Sequence, residues 1–293
     1  MSNAHNTFLA LDPAEHTLER SRVVVLPVPY AETVSYRPGA DAGPAAIIAA
    51  SAEMEDYDPE LGREPCDVGI HTSTAIDPAG DGPEAMAGRV ADTVAAHVSI
   101  GRLVCVLGGE HSLTAGAVEG TARYIDDLSV LILDAQADLR DEYQGWRYSH
   151  ACAARRVLDH APVTLVGVRS MTTGEAEFID DLAIPCFERG SAPLDDVDAV
   201  IATLSPNVYV SVDLDALDPS IMAAVGTPEP GGMGWWETLR LLRAVAERRR
   251  IVGFDVMELA PAEGPEACAY TAAKLAYKLM AYATMQLPRS GRA

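Results

Sequence analysis

Six short apolar runs, at residues 23–26, 103–107, 130–133, 163–168, 208–212 and 251–256, are separated by stretches long enough to hold helices. Each run is apolar nearly throughout rather than alternating, which is the pattern of a strand buried on both faces. Strands of that kind, interleaved with helices, form a parallel sheet covered on both sides. We therefore expect an α/β protein with a mostly parallel central sheet covered on both sides. Candidate helices cover residues 44–54, 83–100, 113–124, 150–158, 236–248 and 271–285. Pro44 stands where a helix can begin, and Gly43 allows a sharp entry into it. No Pro/Ser-rich linker, repeat or low-complexity tract divides the 293 residues, so one domain over residues 1–293 is expected. With 48% hydrophobic residues the chain has ample material for its core.

Three of the runs end in residues that carry chemistry. Residues 130–133 lead into Asp134-Ala-Gln-Ala-Asp138, and residues 208–212 into Asp213-Leu-Asp215 with Asp218 close behind. Residues 103–107 lead into Gly108-Gly-Glu-His-Ser112. Side chains two apart on a strand share a face, so Asp134, Gln136 and Asp138 are expected to point one way, as are Asp213 and Asp215. In open parallel sheets ligands bind at the carboxyl ends of the strands, where these residues fall. Ionised carboxylates crowded together are unfavourable without a counter-charge, and hard divalent metals supply one. A lone histidine after a strand is more often structural or merely exposed. Beside two acidic strand ends, His111 reads as a ligand.

The formal net charge is −21. Phosphate binding needs a basic face, so a nucleic-acid partner is not expected. Such a field suits a small cationic substrate, although an acidic solubilising surface accounts for it equally well. No apolar stretch approaches the eighteen or so residues of a membrane span, and residues 1–22 are polar and mixed in charge. Five cysteines, an odd number without a CxxC pair, fit the reducing cytoplasm.

Together these motifs resemble those of the ureohydrolase family, which includes arginases and agmatinases, over about residues 25–278. That family's metal motifs read Gly-Gly-Asp-His-Ser, Asp-Ala-His-x-Asp and Ser-x-Asp-x-Asp-x-x-Asp-Pro. This chain has Gly108-Gly-Glu-His-Ser112, Asp134-Ala-Gln-Ala-Asp138 and Ser211-Val-Asp-Leu-Asp-Ala-Leu-Asp-Pro219 in the same order. Pro27-Val-Pro-Tyr30, Arg37-Pro-Gly39, Asp138-Leu-Arg-Asp-Glu-Tyr143, Ser149-His-Ala-Cys152, Gly226-Thr-Pro-Glu-Pro-Gly-Gly232 and Asp255-Val-Met-Glu258 are similar to the agmatinase branch.

The resemblance implies a three-layer α/β/α, arginase-like fold, two Mn²⁺ ions and a trimeric or hexameric homo-oligomer. It implies hydrolysis of the guanidino group of agmatine, or a related compound, to urea and an amine such as putrescine. Aminopropyl-agmatine, guanidinobutyrate, arginine and formimidoylglutamate are the other substrates of that class. By the same resemblance His111, Asp134, Asp138 and Asp213 match the ligands of one ion, and Asp134, Gln136, Asp213 and Asp215 those of the other. A hydroxide held by both ions is the implied nucleophile. The implied catalytic residues are His150, Asp138 and Glu258. Glu258 would pair with the guanidinium, and His150 would also touch substrate and shuttle protons.

The chain departs from the family at Gln136, where the family has histidine. A neutral amide oxygen is a poorer donor than imidazole, so the second ion is expected to bind more weakly. The alternative is a metal-depleted homologue that binds a ligand without turning it over. Glu for Asp at position 110 is expected to matter less, because that residue is not a ligand. Arg140 and Arg147 are the candidate cations for an acidic substrate, and Tyr143, Trp146 and Tyr148 could pack over an alkyl-ammonium chain. Trp235 and Trp236 read as core or interface anchors, and Cys152 as a small buried residue.

Overall fold

The computed structural model describes residues 6–80, 82–189, 194 and 196–286, so residues 1–5 of the polar N-terminal stretch lie outside the described residues. Its strands are β1 (Val23–Val28), β2 (Ile70–Thr72), β3 (Leu103–Gly108), β4 (Leu128–Leu133), β5 (Val163–Val166), β6 (Cys186–Phe187), β7 (Asn207–Asp213) and β8 (Arg250–Met257). Its helices are α1 (Gly43–Ser51), α2 (Pro83–Ser99), α3 (Leu113–Ala122), α4 (Ala153–Val157), α5 (Thr173–Leu182), α6 (Val197–Ala202), α7 (Trp235–Arg248) and α8 (Ala267–Ala283). The strands form one sheet in the order β2-β1-β3-β8-β7-β4-β5-β6. Every pairing in it is parallel.

The near-continuous apolar runs divide between two cores because successive side chains leave a strand on opposite faces. Val23, Val25, Cys105, Leu107, Leu131, Leu133, Val210, Phe254 and Val256 pack with residues of α1, α6, α7 and α8. Leu26, Val28, Val104, Val106, Val130, Ile132, Tyr209 and Val252 pack with α2, α3 and α4, and Phe178 and Ile179 of α5 join that side. Three layers result, as expected.

All six apolar runs are strands. The two strands not expected, β2 and β6, are the outermost ones and have only three and two residues. The segment at 150–158 splits into a 3-10 turn, His150–Cys152, followed by the short α4. Gly43 is helical, at φ −54°. It is needed for space, because a Cβ there would lie 2.6 Å from the Leu259 carbonyl oxygen.

Candidate active site

The carboxyl ends of four adjacent strands, β3, β8, β7 and β4, supply the site. His111 lies in the turn after β3, Glu258 directly follows β8, Asp213 ends β7 and Asp134 directly follows β4. Strand alternation does not bring the acidic groups together as the sequence suggested. Asp134 to Asp138 are beyond the strand, held by bonds from Asp134 N to Val166, from the Arg169 and Ser170 amides to the Ala135 carbonyl and from Ala135 N to Asp215, and Asp215 sits in a 3-10 turn, Leu214–Ala216. Asp138 and Glu258 adopt positive φ, +50° and +69°. Left-handed backbone at non-glycine residues is costly and gathers where surrounding structure enforces an orientation, typically at functional sites.

The His111 ring is buried, and its Nδ1 lies 3.0, 3.2 and 3.3 Å from carboxylate oxygens of Asp134, Asp138 and Asp213. None of the three meets it in hydrogen-bonding geometry, and the facing Asp134 Oδ2 is equally unpartnered. On the other side of the ring, Nε2 is 3.0 Å from Ser211 Oγ, which donates to Asp255 at 2.7 Å. Thr114 and Tyr209 also donate to Asp255, each at 3.0 Å. Since the Ser211 proton is spent on Asp255, His111 Nε2 is the donor to Ser211, which leaves Nδ1 to face the carboxylates. Buried polar atoms left unpaired are costly. A ring nitrogen and three carboxylate oxygens converging on one point fit a cation.

Two of the three carboxylates are also aimed by a backbone amide. Asp134 Oδ1 accepts from Gln136 N at 2.7 Å and Asp213 Oδ1 from Asp215 N at 2.9 Å, which leaves Oδ2 of each toward His111. Burial raises the carboxyls of Asp134, Asp215 and Glu258 well above their ordinary values, and neighbouring carboxylates add to this. Asp213 is pushed up to about 6 by burial and by Asp134. Burial works against a charge on His111, but the surrounding carboxylates outweigh it and raise the imidazole well above its usual value. Without metal the cluster holds protons that a divalent ion displaces.

His111, Gln136, Asp138, Asp213 and Glu258 line one cavity of about 270 Å³, with His150, Tyr143, Arg140 and Thr227 around them. Glu258 uses Oε1 to accept from His111 N at 2.8 Å. Tyr143 meets the His150 ring edge-on, with centroids 5.8 Å apart. Burial lowers the His150 pKa, partly offset by Asp138. Asp215 borders the cluster, with its oxygens bonded to Ala135 N and Thr227 Oγ1, both at 3.1 Å. Gln136 lines the cavity with its neutral amide.

Other sequence candidates fall elsewhere. Asp218 accepts from Ser220, Gly231 and Gly232 amides and braces its own loop. Arg147 is an exposed partner of Asp141 outside the cavity, whereas Arg140 stacks over Tyr143 at 4.6 Å. Cys152 is buried, and burial pushes its thiol up to about 11, which makes it a poor nucleophile. Two contributors were missed. Thr33 touches His150, and the Arg169 guanidinium donates to carbonyls of Asp215, Glu229, Gly167 and Pro230 beside the acidic cluster. Neither carries a sequence signal, since each acts through contacts that only the folded chain makes.

Comparison with known proteins agrees with this architecture. The N(1)-aminopropylagmatine ureohydrolase of Synechocystis sp. is 40% identical over 270 residues, covering 89% of this chain and 88% of that protein. The enzyme of the same name from Thermus thermophilus is 39% identical, covering 88% and 89%. The agmatinase of Pyrococcus horikoshii is 34% identical, covering 87% and 89%. Among solved structures, the agmatine ureohydrolase of Thermoplasma volcanium superimposes with a TM-score of 0.84 at 32% identity, covering 93% of this chain and 94% of that one. A family model described as the arginase family matches residues 21–282, and with it the chain belongs to the arginase family.

Proposed function

We propose that this protein is a divalent-metal-dependent amidinohydrolase that releases urea from N(1)-aminopropylagmatine or agmatine. It is a hydrolase of the agmatinase and aminopropylagmatine ureohydrolase type, as its relatives' names indicate. Four relatives between 34% and 40% identical carry the aminopropylagmatine name, which favours that substrate over agmatine. The observation that carries the reading is His111 Nδ1 set within 3.3 Å of three buried carboxylates, beside the cavity that Glu258 lines.

Oxygen and imidazole donors suit Mn²⁺. His111, Asp134, Asp138 and Asp213 would hold one ion, and Asp134, Gln136, Asp213 and Asp215 a second, weaker one. Such ions lower the pKa of water toward neutrality and so supply the nucleophile. Glu258 has Oε2 available to accept guanidinium N–H groups and fix the carbon over the cluster. His150, whose pKa burial lowers, can take a proton from the nucleophile and pass it on to the alkyl nitrogen as its C–N bond breaks. Urea and an amine leave.

Trp236 is 76% exposed at the start of α7, which supports self-association of this face. The five cysteines are free thiols, which supports a reducing cytoplasm. Among the described residues no helix is long and apolar enough to cross a membrane.

The test is urea release from purified protein with Mn²⁺ and a panel of agmatine, N(1)-aminopropylagmatine, guanidinobutyrate and arginine. The expected order places N(1)-aminopropylagmatine first in kcat/KM. No urea from any compound at saturating metal would overturn the reading.

A further inference from the structure

Glu110, outwardly a minor exchange for aspartate, is fully buried and takes three hydrogen bonds. Thr33 donates twice, from N at 2.6 Å and from Oγ1 at 2.8 Å, each to a different carboxylate oxygen, and Ser112 Oγ donates at 2.5 Å. This fork depends on Gly109, where a Cβ would lie 1.9 Å from the Tyr30 carbonyl oxygen. The absence of that Cβ lets Gly109 N and Glu110 N bond to Val28 and Tyr30 carbonyls, which lays the loop after β1 against the turn after β3.

Thr33 in turn touches His150. A hydroxyl has one proton and two lone pairs, and the Thr33 proton is spent on Glu110. Its oxygen can then only accept, from His150 N at 2.9 Å and from the ring Nδ1 at 3.2 Å. We infer that Glu110 and Thr33 are positioning residues, which hold His150 in the tautomer protonated at Nδ1 and leave Nε2 bare toward Ser35 and the cavity. Ser35 Oγ is 3.3 Å from that Nε2. A bare Nε2 facing the substrate can take a proton from the nucleophile and return it to the leaving nitrogen, whereas the opposite tautomer would present N–H and have to give before it received. The extra methylene of Glu110 relative to aspartate lengthens the arm that reaches Thr33.

This inference rests on the proposed role of His150, and its test separates the two. Nitrogen-15 spectra of histidine-labelled, Mg²⁺-loaded protein report the tautomer directly, with the His150 signals assigned by their loss in His150→Asn. Wild type and Thr33→Ser, which keep the hydroxyl, are expected to be protonated at Nδ1. Thr33→Val, of equal size but without a hydroxyl, is expected to lose that preference and to lower kcat about 100-fold, within the range that a positioned acid-base group contributes, while KM changes little. Glu110→Gln is expected to move both readouts in the same direction, and Thr33→Ser to restore them. His150 protonated at Nε2 in the wild type, or unchanged tautomer and kcat in Thr33→Val, would overturn the inference. The expected tautomers with no urea from the wild type would instead remove the ureohydrolase reading and leave the relay standing.

Discussion

At the scale of single residues, Gln136 is where the proposed second ion would be held least tightly. Its amide is neutral, the neighbouring Asp215 already accepts from Ala135 and Thr227, and the Arg169 guanidinium stands close by. A second divalent ion there would meet three carboxylates, as the first would, but with an amide oxygen in place of an imidazole and a guanidinium nearby. After exhaustive dialysis, metal analysis of Gln136→His should therefore find about one more ion per chain than in wild type, since imidazole is the stronger ligand. Equal content in both would mean that the amide serves as well as imidazole. Glu258 yields a second prediction. Glu258→Gln removes the charge that would hold the guanidinium, and charge-assisted bonds contribute about 1.5–3 kcal/mol, so kcat/KM should fall roughly 10- to 150-fold. The same change removes one of several crowded, buried carboxylates whose protonation burial favours. Melting of the metal-free variant should accordingly occur above that of wild type, a trade between stability and function. His111 and the aspartates were legible in the sequence because each lies at or within a few residues of the end of an apolar run. Thr33 and Ser211 were not legible as the partners of His150 and His111, because they meet them across 117 and 100 residues of chain.

At the scale of elements, legibility followed burial. Every strand that lies between two others was visible as an apolar run, because both its faces need apolar side chains. The edge strands β2 and β6 and the six-residue α6 were too short to register, and α5 was hidden by charge, since Thr173–Leu182 has four acidic residues and packs through few apolar ones. The contacts that tie elements together were invisible in the same way. Glu60 accepts from Lys278 and Tyr282 of α8 at 2.7 and 2.8 Å, and from Arg243 of α7 at 2.6 Å. Lys278 also reaches the fully buried Asp58 at 2.7 Å. Burial alone would raise the Glu60 pKa, but these donors outweigh it and hold the carboxyl at about 2, below its ordinary 4.5. A depressed carboxyl pKa adds stability that is complete above the unfolded value and disappears as pH falls through the folded one. The melting temperature of wild type should therefore exceed that of Glu60→Gln near neutral pH, and the gap should close as pH is lowered from about 4.5 toward about 2. A gap that stays constant over that range would assign the difference to packing.

Across the whole molecule, a group of arginines lies at the end of the sheet opposite the carboxylate cluster. The carboxylate cluster is at the carboxyl ends of the strands. Five of the chain's twenty arginines, Arg22, Arg102, Arg248, Arg249 and Arg250, line a cavity of about 790 Å³ at the amino ends of β1, β3 and β8. Helices that cross over a parallel sheet end there, and cations are favourable at helix carboxyl termini. Arg249 accordingly donates to the carbonyls of Ile201 and Leu204 at the end of α6. The arginines thus answer a structural need at one end, and their positive charge is kept away from the mouth of the active site. With a net charge of −21, the field at that mouth should draw in a polycation. Steering of this kind raises association rates by about 10- to 1,000-fold and falls steeply with ionic strength, as the screening length shrinks to about 10 Å at 0.1 M salt. N(1)-aminopropylagmatine has one more ammonium group than agmatine, so its kcat/KM should fall more steeply with added salt, while kcat for both stays level. Equal slopes for the two substrates would show that the net charge serves solubility alone, and that discrimination between them is made inside the cavity.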